Sequence, residues 1–88
     1  AERFGLIWRW VDDADLRSTT LSLSRQLAAM PCKALATTRA AMDNAVTMSF
    51  EQALDTEAVL QSALGKAPDY AEGVGAFMAK RGPKFTDR

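Results

Sequence analysis

The residues from Asp12 to Met30 alternate between apolar and polar with the period of an α-helix. One stripe recurs at intervals of four, three, four and three residues: Leu16, Thr20, Leu23, Leu27 and Met30. Such a stripe stays on one side of the helix and is expected to pack against another surface. Asp12 or Asp13 is the expected N-cap, where a carboxylate meets free amide hydrogens. Pro31 should end the helix, because proline disfavours helical geometry at the residue before it.

A second helix is predicted from about Pro31 to Ala45. Leu35, Met42 and the alanines between them give it a thin apolar face that suits close approach by a neighbour. The chain has 16 alanines and only five valine or isoleucine residues, a balance that favours helix over sheet. The whole fold is therefore expected to be nearly all helical.

A third helix is predicted to begin after Ser49, because Ser49 and Gln52 match a capping box. In that motif the serine hydroxyl accepts the amide hydrogen of Gln52, and the glutamine side chain reaches back to the serine amide. Its apolar positions are Ala53, Leu54, Ala58, Leu60 and Leu64. We expect the helix to end at Gly65, whose missing Cβ suits a left-handed turn.

The closing segment is predicted to be a last helix. Pro68 and Asp69 place proline and a negative charge in its first turn. The segment should run to Lys80 and Arg81 and stop at the dipeptide Gly82-Pro83.

The opening residues, 1–11, have two different patterns. Residues 1–5 resemble the tail of a helix that stops at Gly5, so we expect Ala1 to lie inside a longer protein. Leu6, Trp8 and Trp10 then alternate with polar and apolar neighbours, which predicts a short extended segment. No second strand is available to pair with it, so the two tryptophans need cover from other polypeptide. The fold expected is all-α, with three main helices preceded by a short helix end and an extended segment.

Composition narrows the function. The 88 residues suffice for one domain, and so small a domain depends readily on a partner. The 11 basic residues balance the 11 acidic ones, so no net field draws in nucleic acid or an anionic membrane. No uninterrupted apolar run approaches the roughly 20 residues that a helix needs to span a bilayer. Cys32 is the only cysteine, which excludes an internal disulfide and favours a reducing, cytoplasmic location.

Few residues are candidates for catalysis. The chain has no histidine, which removes the usual general base and metal ligand. The helical carboxylates are predicted to lie on solvated faces: Glu51, Asp55, Glu57 and Glu72. Asp12, Asp13 and Asp15 lack the glycine and spacing of a calcium loop, and Cys32 is expected to be an ordinary, partly buried thiol. We therefore predict no catalytic residue and no metal site.

A basic cluster near the C-terminus is the remaining candidate. It consists of Lys80, Arg81, Lys84 and Arg88. Phe77 lies three residues before Lys80, so on a helix the ring and the ammonium group would share a face. A nucleotide could use both, with its base against the ring and its phosphates beside the cation. The alternative is a core phenylalanine with lysines that complement the helix C-terminus.

Four stretches of the sequence resemble the C-terminal region of the enoyl-CoA hydratase/isomerase (crotonase) superfamily. The most specific is the ending, which is similar to the family's closing "EG-x-x-AF-x-x-KR-x-P-x-F" motif. The stretches are Ala1–Ile7, Leu27–Pro31, Phe50–Glu57 and Glu72–Phe85. One departure is Ala67, where the family often has serine or threonine to cap the last helix.

The resemblance implies that residues 1–88 form a C-terminal helical segment that assembles subunits and covers coenzyme A. The catalytic core, with the oxyanion-hole amides that stabilise an enolate, would precede this chain. The implied substrate is an acyl-CoA thioester, with no covalently bound cofactor. The implied assembly is a homo-oligomer, either a trimer or a hexamer, and the segment alone would form a dimer or more. Phe77 would contact the adenine, and Lys80 the nucleotide phosphates.

Within the family, Gly5–Asp13 looks closest to the isomerases of aerobic phenylacetate breakdown, which act on epoxyphenylacetyl-CoA. Two other classes remain open from the residues alone. The first is a stand-alone helical dimerisation module. The second is a helix-turn-helix DNA binder, which the neutral charge disfavours because it supplies little attraction for phosphates.

Overall fold

Four α-helices make up most of the computed structural model, which describes residues 1–87. They are α1 (Asp13–Ala28), α2 (Cys32–Ala45), α3 (Phe50–Leu64) and α4 (Pro68–Met78). No strand occurs in the described residues, and the all-α class is confirmed. The described residues form four helices where three main ones were expected, because the predicted last helix, not counted among the three, is a full helix of 11 residues.

The opening residues form a helix-terminating turn. Gly5 has a φ of 73°, its amide donates to the carbonyl of Glu2 at 3.0 Å, and the amide of Leu6 donates to the carbonyl of Ala1 at 3.0 Å. This pair of bonds around a left-handed glycine is the Schellman motif found at helix C-termini. The Glu2 carboxylate also accepts the amide hydrogen of Trp10 at 3.0 Å. The predicted helix end is confirmed, and residues 9–12 follow it without regular structure.

The helix N-termini follow local sequence signals to different degrees. Ser49 and Gln52 form the predicted capping box, with nitrogen–oxygen distances of 3.2 and 3.0 Å. Asp12 occupies the N-cap position of α1, but its side chain makes no capping hydrogen bond. At α4 the N-cap is Ala67, which has no side chain able to accept one.

Two predicted helix ends are corrected. Gly65 has a φ of −64°, so the expected left-handed turn after α3 does not occur there. The left-handed residue is Lys80, with a φ of 54°. Helix α4 ends at Met78, two residues earlier than predicted, because the amide of Lys80 bonds to Phe77 and that of Arg81 bonds to Ala76. These two bonds close a second Schellman turn, so Gly82 and Pro83 lie beyond the stop.

The described helices enclose almost no core. Ala76 is the only buried hydrophobic residue among residues 1–87, and the closest helix packing is that of α2 against α3. The chain exposes 7558 Å², whereas a folded monomer of this size exposes about 5,100 Å². Its radius of gyration is 16.6 Å, against about 12 Å for a compact domain of this length. The helices therefore leave most of their apolar surface uncovered within the described residues.

The apolar surfaces predicted to need a partner are exposed. Trp8 and Trp10 are 70% and 64% exposed. Four members of the predicted stripe are exposed: Leu16, Thr20 and Leu27 on α1, and Met30 just after it. Contiguous apolar surface on this scale is typical of a surface that another molecule covers.

Candidate functional site

The residues after α4 fold back along that helix, and Asp69 holds their far end. Its side chain, only 6% exposed, accepts the amide hydrogens of Thr86 at 2.7 Å and Asp87 at 3.0 Å. Asp87 returns a contact, since its Oδ2 atom accepts from the amide of Asp69 at 3.4 Å. A carboxylate from the tail, residues 81–87, therefore lies where the missing cap of Ala67 would lie.

Glu72 holds the near end of the same tail. Its Oε1 atom accepts from Arg81 Nη1 at 2.7 Å and from the amide of Lys84 at 2.8 Å, while Oε2 accepts from Arg81 Nη2 at 3.1 Å. Hydrogen bonding to Arg81, followed by the Lys84 amide, lowers the pKa of Glu72 to about 2. The same ion pair raises the pKa of Arg81. The expectation of a freely solvated Glu72 is wrong, because the tail returns to this side of α4.

Gly73 lies against the ring of Phe85 in the same tail. A Cβ atom at Gly73 would lie 3.6 Å from Cε1 of Phe85, which is ordinary van der Waals distance. The ring therefore packs directly on α4 at this position. The tail is thus attached by two carboxylates and seated by one aromatic ring.

A groove of about 520 Å³ lies between α2, the end of α3, α4 and the tail. Its walls are mainly apolar and include three aromatic rings, those of Tyr70, Phe77 and Phe85. Grooves of this size and character accommodate small organic ligands or apolar parts of other chains. Phe77 contributes to the groove, whereas Lys80 does not.

The structure changes the geometry assumed for the predicted coenzyme A residues. Phe77 is 82% exposed on α4, so the alternative of a core phenylalanine is wrong within this chain. Lys80 is exposed but lies past the end of the helix, with left-handed backbone. The assumption that the two share a helix face is therefore wrong, although they remain three residues apart at one end of α4.

The structure also shows that one member of the basic cluster is already paired with a carboxylate. The guanidinium of Arg81 is engaged by Glu72, while Lys80 and Lys84 are exposed and make no ion pair within residues 1–87. Arg88, the fourth predicted member, lies outside the described residues. Of the three described members, Lys80 and Lys84 therefore remain candidates for an anionic ligand.

The remaining candidates show no site chemistry. Cys32 is half-buried, as expected, and its Sγ donates to the carbonyl of Leu27 at 3.6 Å. Within residues 1–87, no group of three or more carboxylate or cysteine side chains is placed so that it could hold a metal ion. None of the helices formed by these residues is long and apolar enough to span a membrane.

Comparison with known proteins identifies the family. All of residues 1–88 match the enoyl-CoA hydratase/isomerase family. The chain is 41% identical to a 1,2-epoxyphenylacetyl-CoA isomerase of Escherichia coli and 39% identical to a probable enoyl-CoA hydratase of Rhodobacter capsulatus. A probable enoyl-CoA hydratase of Mycobacterium bovis is 32% identical. Each match covers 100% of this chain and 34% of the relative.

The chain therefore belongs to the enoyl-CoA hydratase/isomerase family, and the resemblance found in its motifs is confirmed. It spans about a third of the length of these relatives.

Proposed function

We propose that residues 1–88 are the C-terminal helical segment of an enzyme that acts on acyl-CoA thioesters. The observation that carries this proposal is the absence of a core: only Ala76 is a buried hydrophobic residue in the described chain. A stand-alone interaction module would need a core of its own to fold. A segment that leans on a catalytic domain and on sister subunits would not.

In the proposed enzyme, the chemistry belongs to the preceding domain. Backbone amides of an oxyanion hole there would polarise the thioester carbonyl and stabilise an enolate, and acidic residues would move the protons. No residue of this chain is proposed to be catalytic. Its contribution is to bind the nucleotide end of the substrate, to shield the site and to join subunits into a homo-oligomer, a trimer or a hexamer, in the cytoplasm.

Phe77 and Lys80 are the proposed contacts for coenzyme A. Their exposure supports this role, since a ring that is 82% exposed is available to stack on adenine. The Lys80 ammonium is a solvated cation suited to a phosphate. Both lie where α4 ends and the tail turns back, so one ligand could reach both.

For the reaction, we propose isomerisation of an acyl-CoA thioester, the type of reaction named for the relative at 41% identity, the 1,2-epoxyphenylacetyl-CoA isomerase. Hydration of enoyl-CoA is the second candidate, favoured by the relatives at 39% and 32% identity. Both reactions pass through a stabilised enolate, which the family's oxyanion hole serves.

The deciding experiment is to assay the longer protein that contains this chain with epoxyphenylacetyl-CoA and, separately, with a short enoyl-CoA. A new CoA thioester of unchanged mass from the first would support the isomerase, and water addition to the second would support the hydratase. The 88-residue chain is the matched control and should turn over neither. Two outcomes would contradict the proposal. One is turnover by the 88-residue chain alone, and the other is no turnover of either substrate by the longer protein.

A further inference from the structure

We infer that Arg81 is a positioning residue: its guanidinium, held on Glu72, stabilises the turn from which Lys80 presents its ammonium group to the substrate's nucleotide. The inference deepens the proposed function and rests on it. It assigns different roles to two neighbouring cations that look equivalent in the sequence.

The bonding of Arg81 argues against a direct contact with phosphate. Nη1 and Nη2 bond to separate oxygens of Glu72 at 2.7 and 3.1 Å, and Nη1 also donates to the carbonyl of Gly82 at 3.2 Å. A guanidinium held at two points by a carboxylate is already in its preferred geometry. Binding phosphate would require it to give up that partner.

Lys80 needs support from its neighbours. Left-handed backbone is unfavourable for any residue with a Cβ atom, yet Lys80 has a φ of 54°. Its amide bonds to the carbonyl of Phe77 at 3.2 Å, and the next amide, that of Arg81, bonds to Ala76 at 3.0 Å. The turn is thus held on its C-terminal side through Arg81, whose side chain is tied to α4.

Glu72 extends this support along the tail. Besides Arg81 it holds the amide of Lys84 at 2.8 Å, so the chain on the far side of Gly82 and Pro83 is attached to the same carboxylate. Removal of the side chain of either Glu72 or Arg81 would leave the turn held by its two backbone bonds alone. Lys80 would remain in the sequence, but its ammonium group would sample many more positions.

The test uses Glu72→Ala, Arg81→Ala, Arg81→Lys and the double alanine variant of the longer protein, assayed with a CoA thioester. Each single variant should raise KM by about three- to tenfold with little change in kcat. Arg81→Lys should behave like Arg81→Ala, because lysine keeps the charge but cannot make the two-point contact. The KM of the double alanine variant should not exceed the higher of the two single-alanine KM values, because both changes break the same contact.

A pantetheine thioester, which lacks the nucleotide, separates positioning from general damage. All four variants should match the wild type on this substrate, and an equal loss on both substrates would overturn the inference. A Glu72→Ala protein whose KM is unchanged or lower, beside a raised KM for Arg81→Ala, would instead make Arg81 a phosphate ligand. If the wild type handles both thioesters with the same KM, the proposed nucleotide contact itself fails, and this inference fails with it.

Discussion

Asp87 places its Oδ2 atom 3.4 Å from the amide nitrogen of Asp69 in the first turn of α4. A capping side chain at Ala67 would bond to amides of this same turn. The cap of α4 is therefore supplied from 18 residues further along the chain. Because the tail supplies this cap, the stability of α4 depends on the tail remaining folded back.

The capping role of Asp87 can be tested by removing its side chain and placing a capping side chain at Ala67. Asp87→Ala should destabilise the protein by about 0.5 kcal/mol, and a second change, Ala67→Ser, should restore that loss because serine is a good N-cap. Chemical denaturation of the two variants and the parent measures both effects. Failure of Ala67→Ser to rescue Asp87→Ala would show that Asp87 does not act as a cap.

The attachment of the tail should depend on acid. The pKa of Glu72 falls from its ordinary 4.5 to about 2 in the folded chain. The stabilisation is therefore fully present above pH 4.5 and declines as the pH falls toward 2. The protection of the Lys84 amide against hydrogen exchange, corrected for intrinsic rates, should fall as the pH is lowered through this range. In Glu72→Gln, exchange corrected for intrinsic rates should lack this pH-dependent change, and a parallel change in both proteins would contradict the prediction.

Two substitutions separate the backbone role of Lys80 from its charge. Lys80→Gly should stabilise the protein by about 1 kcal/mol, since glycine adopts left-handed backbone without a steric penalty. Lys80→Ala keeps the penalty and should not stabilise it. Both remove the cation, so both should raise KM for a CoA thioester by a factor of about 5 to 30. An unchanged KM in both variants would remove Lys80 from the site.

The capping box of α3 should be worth more than an ordinary surface serine. Ser49→Ala should lower the free energy of unfolding by about 1 kcal/mol, because the amide of Gln52 loses its acceptor. Ser62→Ala, at an exposed position of the same helix, is the matched control and should change stability by less than about 0.5 kcal/mol. Thermal unfolding of both variants decides it, and equal effects would count against the cap.

The 88-residue chain should associate with itself in solution. Its surface exceeds the expected value of about 5,100 Å² by more than one partner's share of a standard interface, about 800 Å². Sedimentation velocity should show a dimer or a larger species, together with shielded tryptophan fluorescence from Trp8 and Trp10. A compact monomer at high concentration would contradict this prediction.

Local signals explain which parts of the fold were predictable. The capping box succeeded because Ser49 and Gln52 are three residues apart and satisfy each other whatever else the chain does. The turn at Gly5 succeeded for the same reason. The left-handed turn was wrongly expected at Gly65 because glycine permits that backbone without requiring it. At Lys80, the hydrogen bonds of the turn and the attached tail override the lysine's own preference.

The contacts of the candidate site were harder to predict. Glu72 meets Arg81 nine residues away and the Lys84 amide twelve away, and Asp69 meets Thr86 seventeen away. Sequence spacing does not show that a tail reverses direction. The only available signal was two carboxylates three residues apart, Asp69 and Glu72, beside Gly73 and ahead of a tail containing Phe85. Without the reversal, these carboxylates were indistinguishable from solvated ones.

By itself, the sequence determined the helices, their N-terminal boundaries and the family, because these depend on apolar period, capping residues and motif order within short stretches. The tertiary structure decided which charges remain available, where the left-handed turn falls and how the tail is attached. The available charges and the tail attachment depend on amides and side chains that meet only after the chain has reversed. The left-handed turn depends on backbone bonds that place a lysine where glycine is the usual residue, so apolar period and capping motifs reveal none of them.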